Sequence, residues 1–105
     1  MITQVNHDNH IQGSAELTSK AQALVQDQLS RFTDQVTRIE IHLSDEDGTA
    51  KSAPDDKRCL MEARPAGMQP ISVSHRGSTV DEALQGATDK MESLLESTFG
   101  KLNHR

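Results

Sequence analysis

The sequence predicts an α+β fold in the order β-α-β-β-β-α, with a four-stranded mixed sheet and two helices packed on one of its faces. Two long segments repeat their apolar residues every three or four positions, which is the period of an amphipathic helix. Three shorter segments alternate polar and apolar residues, as half-buried strands do, and a fourth at the N-terminus is short and mixed. Since each element has one apolar face, the helices pack most economically on one side of the sheet and leave the other open to solvent.

The first two elements lie in the first third of the chain. In residues 1–10, Ile2 and Val5 are separated by polar residues, which predicts a modest strand. Gly13 and Ser14 then break the pattern, and Ser14 is a suitable N-cap for the next helix. An apolar stripe predicts that this helix has about five turns. The stripe consists of Leu17, Ala21, Leu24, Val25, Gln28, Leu29 and Phe32.

Two alternating strands, separated by an acidic loop, occupy the middle of the chain. In the second strand, residues 38–43, we expect Ile39, Ile41 and Leu43 to face the core. Residues 44–56 are rich in Asp and Glu and almost free of apolar residues, which predicts a flexible loop. The third strand, residues 57–64, is expected to bury every second side chain. These side chains are Cys59, Met61 and Ala63.

The last strand and the second helix follow a turn at residues 65–67. Ile71, Val73 and His75 share one face of the strand. Thr79 and Glu82 fit the S/T-x-x-E capping box that begins a helix. The buried stripe of that helix is predicted to contain Val80, Leu84, Ala87, Met91, Leu94, Leu95 and Leu102, with Phe99 at its edge. A right-handed crossover would make strands one and two parallel, and hairpins join the others.

Length and composition exclude several classes of protein. With 105 residues, we expect residues 1–105 to form a single domain. The longest apolar runs have three or four residues, so no membrane span is expected, and no secretory signal is visible. The single cysteine, Cys59, excludes an internal disulfide and favours the cytoplasm. A net charge of −5 and only 2% aromatic residues are unfavourable for a general nucleic-acid-binding protein.

The net charge conceals an uneven distribution. Residues 35–43 and 57–76 together carry +3, so the remainder of the chain carries −8. The alternation predicts that the charged side chains of the strands point away from the helices. They are Arg38, Glu40, His42, Arg58, Glu62, Arg64 and Arg76. An arginine patch could bind phosphate through paired hydrogen bonds, or the arginines could form cross-strand pairs with the glutamates. The residues alone favour the second interpretation.

The sequence offers little for metal binding or catalysis. His42, Cys59 and His75 have no paired spacing typical of a zinc site, so no metal or cofactor is expected. Cys59 is predicted to be a small buried thiol, although the neighbouring Arg58 could lower its pKa. A Cys59–His75 pair would lack an oxyanion hole. We therefore predict that the protein is not an enzyme and has no small-molecule substrate.

Several patterns together resemble one known family. The strongest patterns are S-x-x-G at Ser74 and Gly77 and the pair Ala83–Leu84. They continue with Gly86 and with an Asp-Lys-Met run at residues 89–91. Weaker ones are Val36-x-x-Ile39-x-Ile41-x-Leu43 and the helix end at residues 29–32. In order, spacing and length, the chain resembles the ribosome hibernation-promoting factor and ribosome-associated inhibitor family, also called sigma-factor modulation proteins.

The resemblance implies a cytoplasmic, stress-related translation regulator that docks on the small ribosomal subunit. There it would block the channel for messenger and transfer RNA in idle ribosomes. A chain that ends at Arg105 is similar to the short form, without the C-terminal domain by which long members pair ribosomes. The predicted RNA-binding residues are Arg38, Arg58, Arg64 and Arg76 on the sheet, with Arg31, Lys90 and Lys101 on the helix side.

The chain also departs from the family pattern on the second helix. Typical members carry Lys or Arg where this chain has Ser93, Ser97 and Phe99, and only Lys90 and Lys101 match their basic positions. An alternative prediction is therefore a protein-interaction module that kept the fold and binds a basic protein partner through its acidic surface. The oligomeric state stays open at this point.

Overall fold

The computed structural model describes residues 1–8, 11, 15–45 and 56–103, with side chains up to residue 100. The predicted order of elements is confirmed. The elements are β1 (Ile2–His7), α1 (Ala15–Gln28), a 3₁₀ turn (Ser30–Phe32), β2 (Val36–Asp45), β3 (Lys57–Pro65), β4 (Ile71–Gly77) and α2 (Val80–Asn103). The four strands form one sheet in the order β1-β2-β3-β4. β1 is parallel to β2, and the other neighbours are antiparallel, which confirms the mixed sheet.

The core lies between one face of this sheet and the two helices. The alternation predicted for the middle strands is confirmed, because Ile39, Ile41 and Met61 are completely buried. The helices contribute further large buried side chains. These are Val25, Leu29, Leu84, Met91 and Leu95. The opposite face of the sheet carries no helix among the described residues, and its side chains are polar with few exceptions.

The first helix is shorter than the five turns that the sequence predicts. The α-helix ends at Gln28, and the chain tightens into the 3₁₀ turn, where the amide of Phe32 donates to the carbonyl of Leu29. The turn brings the ring of Phe32 to 5.9 Å from the ring of Phe99. Phe99 was predicted at the edge of the buried stripe, and this contact leaves it only 7% exposed. The 3₁₀ turn and the contact between the two rings therefore cover the core together at the C-terminal end of α1.

β2 extends to Asp45, two residues beyond its predicted end. Ser44 and Asp45 belong to β2 because they pair with Arg58 and Lys57 on β3. Asp56 and Asp45 both bind the ammonium of Lys57, at 2.8 and 3.4 Å. Residues 46–55 of the predicted loop lie outside the described residues, as does the predicted N-cap Ser14.

The start of α2 confirms half of the predicted capping box. The amide of Glu82 donates to Oγ1 of Thr79 at 3.1 Å, as the motif requires. The carboxylate of Glu82 turns to Ser78 instead, and accepts hydrogen bonds from its amide at 2.9 Å and its hydroxyl at 2.8 Å. These bonds lower the pKa of Glu82. The helix thus begins with two satisfied backbone amides and a negative charge at its positive end.

Further along α2, two side chains join the buried stripe that the sequence does not indicate. Ala83 and Thr88 are both completely buried. The hydroxyl of Thr88 donates to the carbonyl of Leu84 at 2.7 Å, so its burial leaves no polar group unsatisfied. In the described part of the chain, neither helix is long and apolar enough to cross a lipid bilayer.

Candidate functional site

The helix-free face of the sheet, here called the open face, presents its side chains in four cross-strand rows. The register of the strands defines these rows. They are Ile2–Arg38–Arg64, Gln4–Glu40–Glu62–Ser72, Asn6–His42–Leu60–Ser74 and Ser44–Arg58–Arg76. The prediction that the charged strand residues share this face is therefore confirmed, and arginines occupy both of its ends.

At one end of the open face, the arginines are neutralised by glutamates. Oε2 of Glu40 lies 3.0 Å from Nε of Arg38 and 3.4 Å from Nη2 of Arg64. Nε of Arg64 also lies 3.6 Å from the carboxylate of Glu62, and Arg38 donates to the side-chain carbonyl of Gln4. The pair of Glu40 and Arg64 joins β2 to β3, as the interpretation of cross-strand pairs requires, whereas the other two ion pairs each lie within one strand.

The opposite end of the open face has a different composition. Arg58 and Arg76 are directly opposite each other on β3 and β4, and Ser44 completes their row. Arg76 is exposed and Arg58 is half-buried. Between them and the glutamates lies the row that holds His42 and Leu60, with the imidazole of His42 3.6 Å from Glu40. The register thus places two arginines at facing positions of this end.

Two of the predicted helix-side contacts, Arg31 and Lys90, bind groups away from the open face. Nη2 of Arg31 lies 2.8 Å from Glu96 and 3.5 Å from Glu92, and its guanidinium stacks on the ring of Phe32 at 4.8 Å. Arg31 therefore fastens the 3₁₀ turn to α2, on the helix side of the molecule. Lys90 donates to the carbonyl of Ser74 at 2.9 Å, which ties α2 to β4. The side chain of Lys101 lies outside the described residues.

Cys59 is a buried core thiol, as predicted. Its side chain is completely buried, and this burial raises its pKa to about 12, outweighing the opposite effect of Arg58. The register places His75 beside it on the helix-covered face, whereas His42 lies on the open face. The three residues considered for a zinc site therefore do not converge. The high pKa also opposes formation of the thiolate that a nucleophilic cysteine needs.

Cys59 should be protected from thiol reagents in the native state. Because its pKa lies about three units above the ordinary value of 9.0, the thiolate is about a thousandfold scarcer at neutral pH. We expect an aromatic disulfide reagent to modify the native protein at least a hundredfold more slowly than the urea-unfolded chain. Rapid modification of the folded protein, verified by circular dichroism, would contradict the assignment of a buried, inert thiol.

The same pKa predicts a loss of stability at alkaline pH. Above pH 9.0 the unfolded chain releases the thiol proton, whereas the folded protein retains it up to about pH 12. The free energy of unfolding should fall by up to about 1.4 kcal/mol per pH unit over this range. Cys59→Ala is the control, and the difference between the two pH profiles isolates the thiol from the lysines that titrate nearby.

The fold and the open face define a small two-layer α+β domain that presents one polar sheet surface. The chain belongs to the Sigma 54 modulation protein / S30EA ribosomal protein family, whose family model matches residues 7–103. This is a family of ribosome-associated factors. The resemblance that the sequence patterns indicate is thereby confirmed.

Several solved structures share this fold, among them the following two. The N-terminal domain of Protein Y from Thermus thermophilus has a TM-score of 0.72 and 13% identity, and the match covers 92% of this chain and 97% of that domain. A ribosomal subunit interface protein from Coxiella burnetii has a TM-score of 0.68 and 16% identity, with 95% and 99% covered. At these identities the likeness concerns the fold. No curated protein matches the sequence.

Proposed function

We propose that this protein is a cytoplasmic translation regulator that docks on the RNA of the small ribosomal subunit. In idle ribosomes it would occupy the channel used by messenger and transfer RNA. The action needs no catalysis, because a folded domain held on phosphates blocks the channel by its bulk. The observation that carries the proposal is the facing pair Arg58 and Arg76, at one end of the open face, in a member of a ribosome-associated family.

The facing arginines suit a phosphate ligand. Directly opposite residues of an antiparallel pair have Cα atoms about 4.5–5.5 Å apart, so both guanidinium groups can reach one phosphate or two consecutive ones. A phosphate bound by both side chains would accept charge-assisted hydrogen bonds, which are stronger than neutral ones. Arg38 and Arg64 are less suitable, because they lie beside the carboxylates of Glu40 and Glu62, which would repel a phosphate.

The distribution of charge on the helices supports the same orientation. The exposed carboxylates of the described part of α2 lie on the helix side, where they would repel RNA. They are Asp81, Glu82, Asp89 and Glu96, and the half-buried Glu92 lies on the same side. The protein would therefore approach rRNA with the open face, and the helices would point away from the nearest phosphates.

Co-sedimentation with purified small ribosomal subunits tests the proposal. We expect the protein to pellet with the subunits at about 50 mM salt, and its affinity to fall about tenfold to a hundredfold by about 200 mM, as two to four phosphate contacts require. Large subunits are the matched control for the choice of subunit. A folded protein that stays in the supernatant at low salt would contradict the proposed docking.

A further inference from the structure

A solvent-open groove lies between the N-terminal halves of α1 and α2, on the helix side of the molecule. It consists of two adjoining clefts of about 350 and 450 Å³, which share Lys20 and Asp81. The ammonium of Lys20 lies 2.8 Å from the carboxylate of Asp81, and this ion pair bridges the groove. The remaining lining residues are Leu24, Glu82, Leu84 and Gln85 in the first cleft, and Glu16 and Leu17 in the second.

The floor of the groove is apolar. Leu17 and Leu24 pack against the core from α1, but both remain partly exposed. Leu84 lines the first cleft together with Leu24 and is almost completely buried. Farther along, polar contacts join the helices, such as the hydrogen bond of 2.7 Å from Gln28 to Asp89. The leucines therefore form a shallow apolar strip that the described residues do not fill.

The rim of the groove is negatively charged. Glu16, Asp81 and Glu82 face a single cation, Lys20, so the lining carries a net charge of −2. The hydrogen bonds from Ser78 lower the pKa of Glu82, which keeps that carboxylate ionised at neutral pH. Both partners of the Lys20–Asp81 pair are more than 60% exposed. Such a pair contributes little to stability, and an incoming cation could replace Lys20 on Asp81.

We propose that this groove binds a basic peptide segment of a partner protein. In the segment, an apolar side chain would lie over Leu24 and Leu84, and flanking Lys or Arg residues would meet Asp81 and Glu82. The charge of the rim selects this partner, because it attracts cationic peptides and repels phosphates. The groove and the open face lie on opposite sides of the sheet, so a basic segment and RNA can be bound together.

The test is a titration of the isotope-labelled full chain with the synthetic peptide Gly-Ser-Lys-Lys-Leu-Lys-Lys-Ser-Gly, followed by NMR. We expect shifts concentrated at Leu24, Leu84 and Gln85, and weaker binding when Ser replaces the central Leu. Asp81→Asn should weaken binding about twofold to fivefold. Asp34→Asn is the matched control, because it removes one charge from an exposed residue outside the groove and should leave the Kd unchanged.

Several outcomes would overturn the proposal. They are an absence of shifts, shifts spread over all exposed carboxylates, and equal effects of Asp81→Asn and Asp34→Asn. The last two would show that the peptide is held only by net charge. Subunit co-sedimentation of the Asp81→Asn variant separates this inference from the proposed function, because the open face should bind subunits as before. Loss of subunit binding in that variant would contradict the independence of the two surfaces.

Discussion

Replacement of Arg58 and Arg76 by glutamate, in the double variant R58E/R76E, is expected to reduce the affinity for the small ribosomal subunit at least a hundredfold. Hydrogen bonds to charged groups contribute about 1.5–3 kcal/mol each, so the loss of two guanidinium–phosphate contacts amounts to about 3–6 kcal/mol. The new carboxylates would add repulsion. We also expect the slope of log affinity against log salt to become shallower by about 1.4–1.8. Co-sedimentation across a salt series measures both quantities.

Two controls separate a local effect from a change in net charge. Arg31→Glu reverses a charge on the helix side, where Arg31 binds Glu92 and Glu96, and should leave subunit binding nearly unchanged. R38Q/R64Q removes the two arginines that Glu40 and Glu62 already hold, and should weaken binding about tenfold or less. If Arg31→Glu were as damaging as R58E/R76E, the docking surface would be on the helices instead.

R38Q/R64Q and R58E/R76E should also differ in stability. The side chain of Glu40 is only 19% exposed, and both Arg38 and Arg64 bind it. Without them, a largely buried carboxylate loses its charged partners, so R38Q/R64Q should unfold more readily than the wild type. The thermal unfolding of each variant is therefore measured by circular dichroism. Affinities are then compared only among variants that are folded at the assay temperature.

Sequence periodicity was sufficient to predict the fold because every element has one buried face. Ile39, Ile41 and Met61 alternate with charged residues, so a shift of one position would place the charges in the core. The residue at which α1 ends could not be predicted from this periodicity. The stripe continues to Phe32 at helical spacing, and nothing in it indicates the change to a 3₁₀ turn that places Phe32 against the distant Phe99.

Sequence alternation also predicted which arginines share the open face, but it did not predict their electrostatic environment. Whether Glu40 neutralises Arg64 depends on the register between β2 and β3, which the residues of either strand alone do not determine. Arg31 is a second example. Its partners Glu92 and Glu96 lie about sixty positions away on another element, so sequence spacing could not predict these ion pairs.

The contact between α2 and β4 leads to the prediction with the largest expected effect on stability. Gly86 lies inside α2, and the imidazole of His75 packs against its backbone from β4. A Cβ atom at position 86 would overlap the ring of His75, including its Cγ, so the whole ring would have to move. Glycine in a helix normally costs about 1 kcal/mol relative to alanine. At position 86, the absence of a side chain allows α2 to approach β4, which is an edge strand of the sheet.

Gly86→Ala should therefore destabilise the protein by about 1–3 kcal/mol, because the overlap outweighs the gain in helix propensity. In a His75→Ala background the overlap is absent, and the same substitution should stabilise by up to about 1 kcal/mol. Gly100→Ala is the matched control, because it lies on the same helix with nothing within 4 Å of the added Cβ and should stabilise slightly. Urea unfolding of the four variants of the Gly86–His75 cycle gives the coupling energy, expected at about 1–4 kcal/mol. If Gly86→Ala were stabilising in the wild-type background, the imidazole would have another position available, and close packing of α2 on β4 would not depend on this glycine.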